Sequence, residues 1–378
     1  MIPVSLLIPV SLYTIFIHVK VFTYSIRQEE PMKTLKKLAC MAAGLAMAVS
    51  MSGCSWLDSI TGGKRIVRIS HAQSETHPEH LGLLKFKEVI EDRLGDKYEV
   101  QIFPNELLGA AQKAIELCQT GAIDFVVAGT ANVETFEDSY EIFSMPYLFT
   151  SPDAYHQVMN DAEYMEKLYE STDQSGFRVL TWFDAGVRSF YSTKKIETPE
   201  DLKGQKIRVQ QSPASVAMVK AFGAAASPMS FGEVYTAIQQ GVIQGAENNE
   251  LALTNNKHGE VAKYYSLTMH QMIPDVLLGN TKFLESLSDE EYDIFMDAVR
   301  QATELEMNEW EDAVAEATDY AKNTQGVEFI EVDIEQFRDK VIGVQQDMLD
   351  GNPKITEMYE HIQKVNEEVD RNKEESGS

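Results

Sequence analysis

Of 378 residues only three are cysteine, at positions 40, 54 and 118. If the chain is cleaved at Cys54, as argued below, only Cys118 remains as a free thiol. No intrachain disulfide is then possible, and stability must come from the core. Basic residues are scarce too: 33 Lys and Arg stand against 59 Asp and Glu, a net charge of −26. Such a surface repels phosphate backbones and anionic headgroups, so nucleic acid is excluded as a partner. An anionic small molecule would have to be held by a local positive site, against the field of the whole chain. Motifs that carry chemistry are missing as well. There is no Gly-x-Ser-x-Gly elbow, no His-Glu-x-x-His, no P-loop and no paired thiols. Residues 2–26 are apolar and β-branched, but Pro3, Pro9, His18 and Lys20 leave no clean span of about 20 residues for a membrane helix.

What is present first is an export signal. Met32-Lys33-Thr34-Leu35-Lys36-Lys37 forms a basic start, and 38–51 is an apolar run of signal-peptide length. Met51-Ser52-Gly53-Cys54 resembles a lipobox, the bacterial lipoprotein cleavage and acylation signal, with methionine where leucine is usual. Translation is therefore expected to begin at Met32, with 1–31 an upstream extension, 32–53 the signal peptide and 54–64 a polar tether. A lipid on Cys54 would anchor the chain to the outer face of the membrane, or in the periplasm, without spanning it. The part so exported keeps 28 basic and 57 acidic residues, near −29.

From residue 66 the pattern alternates between strand and helix. Strands are predicted at 66–70, 98–103 and 123–128, and helices at 79–94 and 110–120, the second closed by Gly121. This rhythm implies parallel strands with helices on both faces. In such sheets the loops beyond the strands' carboxyl ends form the ligand crevice. Those loops are 71–78, 104–109 and 129–134. The first holds Gln73, Glu75 and His77, the last Asn132. His71, His77, His80 and Glu75 lie within ten residues, yet their spacing matches no helical zinc motif. A polar ligand loop is the expectation, with no metal and no cofactor. Further on, a helix is predicted over 153–170, a strand over 177–183, and a very long helix from Ser288-Asp289-Glu290-Glu291 to about Asn323. Two amphipathic helices broken at 351–353 close the chain.

The densest stretch is 186–249. Thr198-Pro199-Glu200-Asp201 has a hydroxyl cap, proline at the first helical position and acids in the first turn. Ser230-Phe231-Gly232-Glu233 is a capping box. Between them Lys206-Ile207-Arg208-Val209 alternates like a short strand and carries one guanidinium to a strand end, a fork suited to a carboxylate.

This stretch resembles the substrate-binding proteins of TRAP transporters, the tripartite ATP-independent secondary transporters of organic acids. The resemblance runs from Ile66 to about Glu368 and is densest from Arg188 to Asn249. It implies a two-lobed, periplasmic-binding-protein-like α/β fold, each lobe a mixed sheet flanked by helices, with one long helix backing both. It also implies that Arg208 clamps the ligand carboxylate, that Arg188 assists, that Phe231 packs on the ligand and that Asn248 bonds the same carboxylate. Lobe I is expected over 65–186 and 274–314, and lobe II over 187–273 and 315–370. Closure would occur about 185–187 and 273–276.

The function so implied is that of a solute receptor serving TRAP membrane permease subunits, with no chemistry of its own. Two other classes are compared with it: an exported metal-dependent hydrolase using His71, His77 and His80, and a signalling receptor on the same fold. For the ligand, amides and hydroxyl-seeking groups predominate: Gln73, Glu75, His77, Asn132, Gln210, Asn248 and Asn249. Such groups suit several sugar hydroxyls. A hexuronate or related sugar acid is expected, with a C4-dicarboxylate or a keto acid as the alternative.

Overall fold

The computed structural model describes residues 63–376, so the leader, Cys54 and nearly all of the tether lie outside the described residues. In chain order the described strands are β1 (Arg65–Ser70), β2 (Tyr98–Phe103), β3 (Phe125–Gly129), β4 (Phe177–Phe183), β5 (Arg188–Ser192), β6 (Lys206–Val209), β7 (Ala225–Pro228), β8 (Gly245–Asn248), β9 (Tyr264–Gln271), β10 (Asp275–Asn280) and β11 (Glu328–Ile330). They build two sheets, ordered β2-β1-β3-β10-β4 and β11-β9-β5-β8-β6-β7. In the first, β1 runs parallel to β2 and β3, while β10 is antiparallel to β3 and β4. In the second, β6 is parallel to β7 and β8, and β5 is antiparallel to β8 and β9. Both sheets are mixed and flanked by helices, a two-lobed α/β architecture.

Local chemistry explains the elements that place the site. In β1 the inward Val67 and Ile69 are fully buried, as the alternation requires. The helix Pro78–Leu94 starts on His77, whose Nδ1 accepts from the Glu79 amide at 3.2 Å, with Pro78 in the first turn. Its buried Leu83, Phe86 and Ile90 meet Phe295, Ala298 and Ala302 of the long helix Asp289–Asn323. Gly82 allows this close approach, since a Cβ there would lie 2.7 Å from the Ala302 carbonyl oxygen. The long helix opens on a true capping box: Ser288 Oγ accepts from the Glu291 amide, and Glu291 Oε2 accepts from the Ser288 amide. Farther along, its Trp310 and Ala317 pack with Leu251, beside the second sheet. One helix thus backs both sheets. No described helix is long and apolar enough to cross a membrane.

Several elements differ from expectation. The helix predicted over 153–170 is two, Pro152–Met159 and Ala162–Glu170, because Asp161 turns its carboxylate onto the Tyr164 amide and caps a new start. The start at Thr198 yields one 3-10 turn, Pro199–Leu202, with the Thr198–Asp201 box intact. β7 and β11 were not anticipated. β7 is a small-residue edge strand held by its pairing with β6, from Lys206 with Ala225 to Val209 with Pro228. The tail divides as well. Met358, Ile362 and Val365 of the helix Thr356–Ser376 join the cluster of Tyr155, Val158 and Val276 at the first sheet. This differs from the expectation that 315–370 belongs wholly to lobe II. The chain turns back after Gly351 because Asn352 donates to the Asp138 carbonyl at 2.8 Å, a contact 214 residues away that no local pattern reveals.

Candidate functional site

The wall formed by the second sheet carries both arginines. Antiparallel pairing sets Ser189 opposite Asn248, and parallel pairing sets Arg208 beside Ala246, so Arg188, Arg208, Glu247 and Asn248 share one end of the sheet. The two guanidiniums, both buried, differ in what they hold. Arg188 Nε donates to Glu247 Oε2 at 2.5 Å, and Nη2 donates to Glu247 Oε1 at 3.1 Å and to the Glu247 carbonyl at 3.0 Å. Its Nη1 donates to Asn248 Oδ1 at 2.9 Å. Burial alone would raise the Glu247 carboxyl, but Arg188 and then His270 draw it down to about 2. This is a complete ion pair.

Arg208 has no such partner. Its Nε and Nη2 donate to the Met229 carbonyl at 3.1 and 3.0 Å. No carboxylate of the described residues lies within 4.0 Å of it, and Nη1 donates to no protein acceptor among them. The guanidinium sits 5.5 Å from the centre of the Phe231 ring, close enough for a cation–π contact. Burial pulls its pKa below the ordinary arginine value. An arginine stays charged nonetheless, so the cleft holds a desolvated cation with N–H groups to spare. Beside it, Asn248 Oδ1 is already engaged by Arg188 and by the Asn249 amide at 2.8 Å. The Asn248 amide nitrogen is therefore the end left for a ligand oxygen.

The facing wall comes from the first sheet. Gln73 and His77 stand in the loop after β1, Asn132 in the turn after β3, and Asp275 at the start of β10. His77 Nδ1 accepts from the Glu79 amide, so in its neutral form the ring carries its proton on Nε2. Burial, with His71 and His80 nearby, drops His77 to about 3, so it is neutral at physiological pH. Glu79 is buried; burial pushes it up to about 8, and burial with Glu79 beside it raises Asp275 well above the carboxylate range. Glu106 reaches across the cleft, where its Oε2 accepts from the Gly232 amide of the second lobe at 3.0 Å. Between the walls lies about 680 Å³ of atom-free space, part of it open to solvent.

Over residues 69–352 the chain matches the DctP family, bacterial extracellular solute-binding proteins of family 7. It belongs to that family. It is similar to a crystal structure of a TRAP periplasmic solute-binding protein from Anaerococcus prevotii with bound D-glucuronate. Identity there is 51%, covering 81% of this chain and 99% of that one, with a TM-score of 0.79. A second such protein, from Sulfitobacter with bound β-D-galacturonate, is 32% identical, with 78% and 98% covered and a TM-score of 0.75. In Salmonella typhimurium the uncharacterized protein YiiZ is 37% identical over 85% of this chain and 98% of its own length. The DctP-family chain is thus a TRAP-type extracytoplasmic solute receptor, and the hydrolase reading falls with that.

The structure of this receptor brings together all but one of the residues singled out from sequence. Arg188, Arg208, Gln210, Phe231, Asn248 and Asn249 line the cleft from the second sheet, and Gln73, His77 and Asn132 from the first. Glu75 does not: it is exposed in the loop and outside the lining, because the chain turns it outward one residue before Thr76 and the helix cap at His77. The histidines do not converge either. His71 Nε2 meets His80 Nδ1 at 2.9 Å, whereas His77 packs edge-on against Trp310. Sequence reasoning missed Glu79, Glu106 and Asp275. Glu79 reads as an ordinary first-turn acid, and only the approach of β10 turns it into a cleft group.

Proposed function

We propose that this receptor captures a monoanionic sugar acid, a hexuronate such as D-glucuronate or D-galacturonate, and delivers it to TRAP permease subunits. One observation carries the reading: Arg208 is the cleft cation left without a carboxylate among the described residues, in a space otherwise lined by amides, an imidazole and carboxyl groups. An incoming carboxylate supplies the missing partner through two parallel N–H···O bonds. The Asn248 nitrogen lies beside the same oxygen atoms, and Phe231 flanks them. Gln73, His77, Asn132 and Gln210 take the hydroxyls, each able to donate or accept in a set direction. A C4-dicarboxylate asks for a second free cation, and Arg188 is spent on Glu247. The bound D-glucuronate and β-D-galacturonate in the similar proteins support the same class of ligand.

A thermal-shift panel of hexuronates, C4-dicarboxylates and keto acids tests this. At 100 times its dissociation constant a ligand adds about 2.7 kcal/mol to stability. Stabilisation by malate or pyruvate, with none by either hexuronate, overturns the ligand assignment. Attachment is proposed through a lipid on Cys54, with the two lobes closing about 185–187 and 273–276, at the crossings between β4 and β5 and between β9 and β10. Mass spectrometry of the mature N-terminus checks the first point; a chain that begins unmodified upstream of Met32 refutes it.

A further inference from the structure

We propose that Glu106 is a positioning residue for capture: it latches the first lobe onto the segment of the second that holds Arg208, and it sets how slowly the ligand leaves. The inference rests on the hexuronate-receptor reading, with closure of the two lobes about the ligand. It adds a residue that need not touch the ligand.

The contact joins two residues 126 apart in the chain: Glu106 Oε2 accepts from the Gly232 amide at 3.0 Å. That amide lies in the 3-10 turn Phe231–Glu233, whose capping box uses Ser230 and Glu233 and leaves the Gly232 N–H over. The first lobe supplies the acceptor. On either side of Gly232 the same segment builds the clamp. The Met229 carbonyl accepts from Arg208 Nε and Nη2, and the Phe231 ring stands 5.5 Å from the guanidinium. A side chain that holds Gly232 therefore holds the support of Arg208.

On its own side Glu106 is tied to the facing wall. The Asn105 and Glu106 amides donate to the carbonyls of Gln73 at 3.0 Å and His71 at 3.1 Å, in the loop that brings Gln73 and His77 to the cleft. Asn105 and Glu106 both take left-handed backbone, at φ +55° and +56°. Glutamate seldom does so, because its Cβ crowds the following carbonyl oxygen. Such strain persists where the surroundings hold it, and it gathers at functional sites. Opposite, there is room for glycine alone: a Cβ on Gly232 would lie 2.8 Å from Glu106 Oε2. The walls meet again farther along. Gln112, in the helix Ala111–Thr120, donates from Nε2 to the Gln211 carbonyl at 3.4 Å, and a Cβ on Gly129 would lie 2.8 Å from Gln210 Nε2. The latch is thus part of a seam between the lobes. A contact made only in the closed form stabilises that form and has no counterpart in the open one that admits ligand. Its loss belongs in the rate of leaving, not of entry.

Kinetics of D-glucuronate binding to the full-length chain decide it, with rates from stopped-flow tryptophan fluorescence and Kd from calorimetry. Glu106→Ala should release the ligand about twofold to tenfold faster, the range of one hydrogen bond, with entry unchanged. Glu106→Gln keeps a side-chain oxygen that accepts and should restore most of the slow release. Gly232→Ala crowds Oε2 from the other side and should also speed release. It should add nothing in the Glu106→Ala background, because the atom it displaces is gone. Unchanged release in Glu106→Ala, release as fast in Glu106→Gln as in Glu106→Ala, or an additive double variant overturns the latch and leaves the receptor reading intact. No binding of D-glucuronate or D-galacturonate by the wild-type chain overturns both.

Discussion

Replacing Arg208 with alanine separates affinity from stability in a way that the two arginines' different partners make quantitative. In the unliganded protein the Arg208 guanidinium is buried, with the Met229 carbonyl as its only acceptor among the described residues. A buried, unpaired charge contributes little to stability, so Arg208→Ala should leave the unliganded melting midpoint unchanged or slightly raised. With ligand bound, the same truncation leaves the carboxylate desolvated opposite nothing. Losing one partner of a buried charge pair costs about 2–5 kcal/mol. At about 1.4 kcal/mol per decade this is roughly a 30-fold to several-thousand-fold weakening. Arg208→Lys should recover little, since an ammonium cannot present the fork and Met229 would still claim one donor. Calorimetry with D-glucuronate, paired with denaturant melts of the unliganded variants, gives both quantities. Near-native affinity in a folded Arg208→Ala protein would refute the reasoning, because the carboxylate would have to be held elsewhere.

Three further outcomes follow from the same geometry. Arg188→Ala should lose about 3–5 kcal/mol of folding stability even without ligand, since fully buried Glu247 is left unpaired; a melt within 1 kcal/mol of wild type, at the order of magnitude set for broken buried pairs, refutes this. The Glu79 carboxyl keeps its proton in the folded state up to about 8 against an ordinary 4.5. Its contribution to stability is full below 4.5 and is lost as pH rises from there to about 8, so Glu79→Gln should flatten the unfolding midpoint over that range, and an unchanged slope counts against it. Gly186 sits at φ +61° in the crossing between β4 and β5, where a Cβ would lie 3.0 Å from the Trp310 ring. Gly186→Ala should therefore cost about 1–2 kcal/mol from the left-handed backbone alone, read by denaturant unfolding, and an unaltered midpoint refutes the strain.

How much of this was legible beforehand depends on the distance over which each determinant acts. The boxes at Thr198, Ser230 and Ser288 were readable because a cap is closed by the residue three positions on. β1, β2, β6 and the long helix were readable because alternation and three-and-four spacing are properties of a short window. The fold class followed from that rhythm together with the family resemblance. The rule that crevices open at strand ends points to the loops of Gln73, His77 and Asn132, which line the same cleft as Arg208.

Without the family resemblance, local pattern does not separate Arg188 from Arg208. Both are strand arginines in one motif, and the difference is made by Glu247, 59 residues from Arg188, arriving on the neighbouring strand to pair with one guanidinium and not the other. The same holds for Glu79, an unremarked first-turn acid until β10 delivers Asp275 to it, and for the last helix, which the Asn352 turn sends to the first sheet. Short-range patterning decides which elements form and which face they bury. Which buried charge is neutralised, and which is left open for a ligand, depends on partners that only the closed sheet brings within a few ångströms, where desolvation makes each pairing worth several kcal/mol.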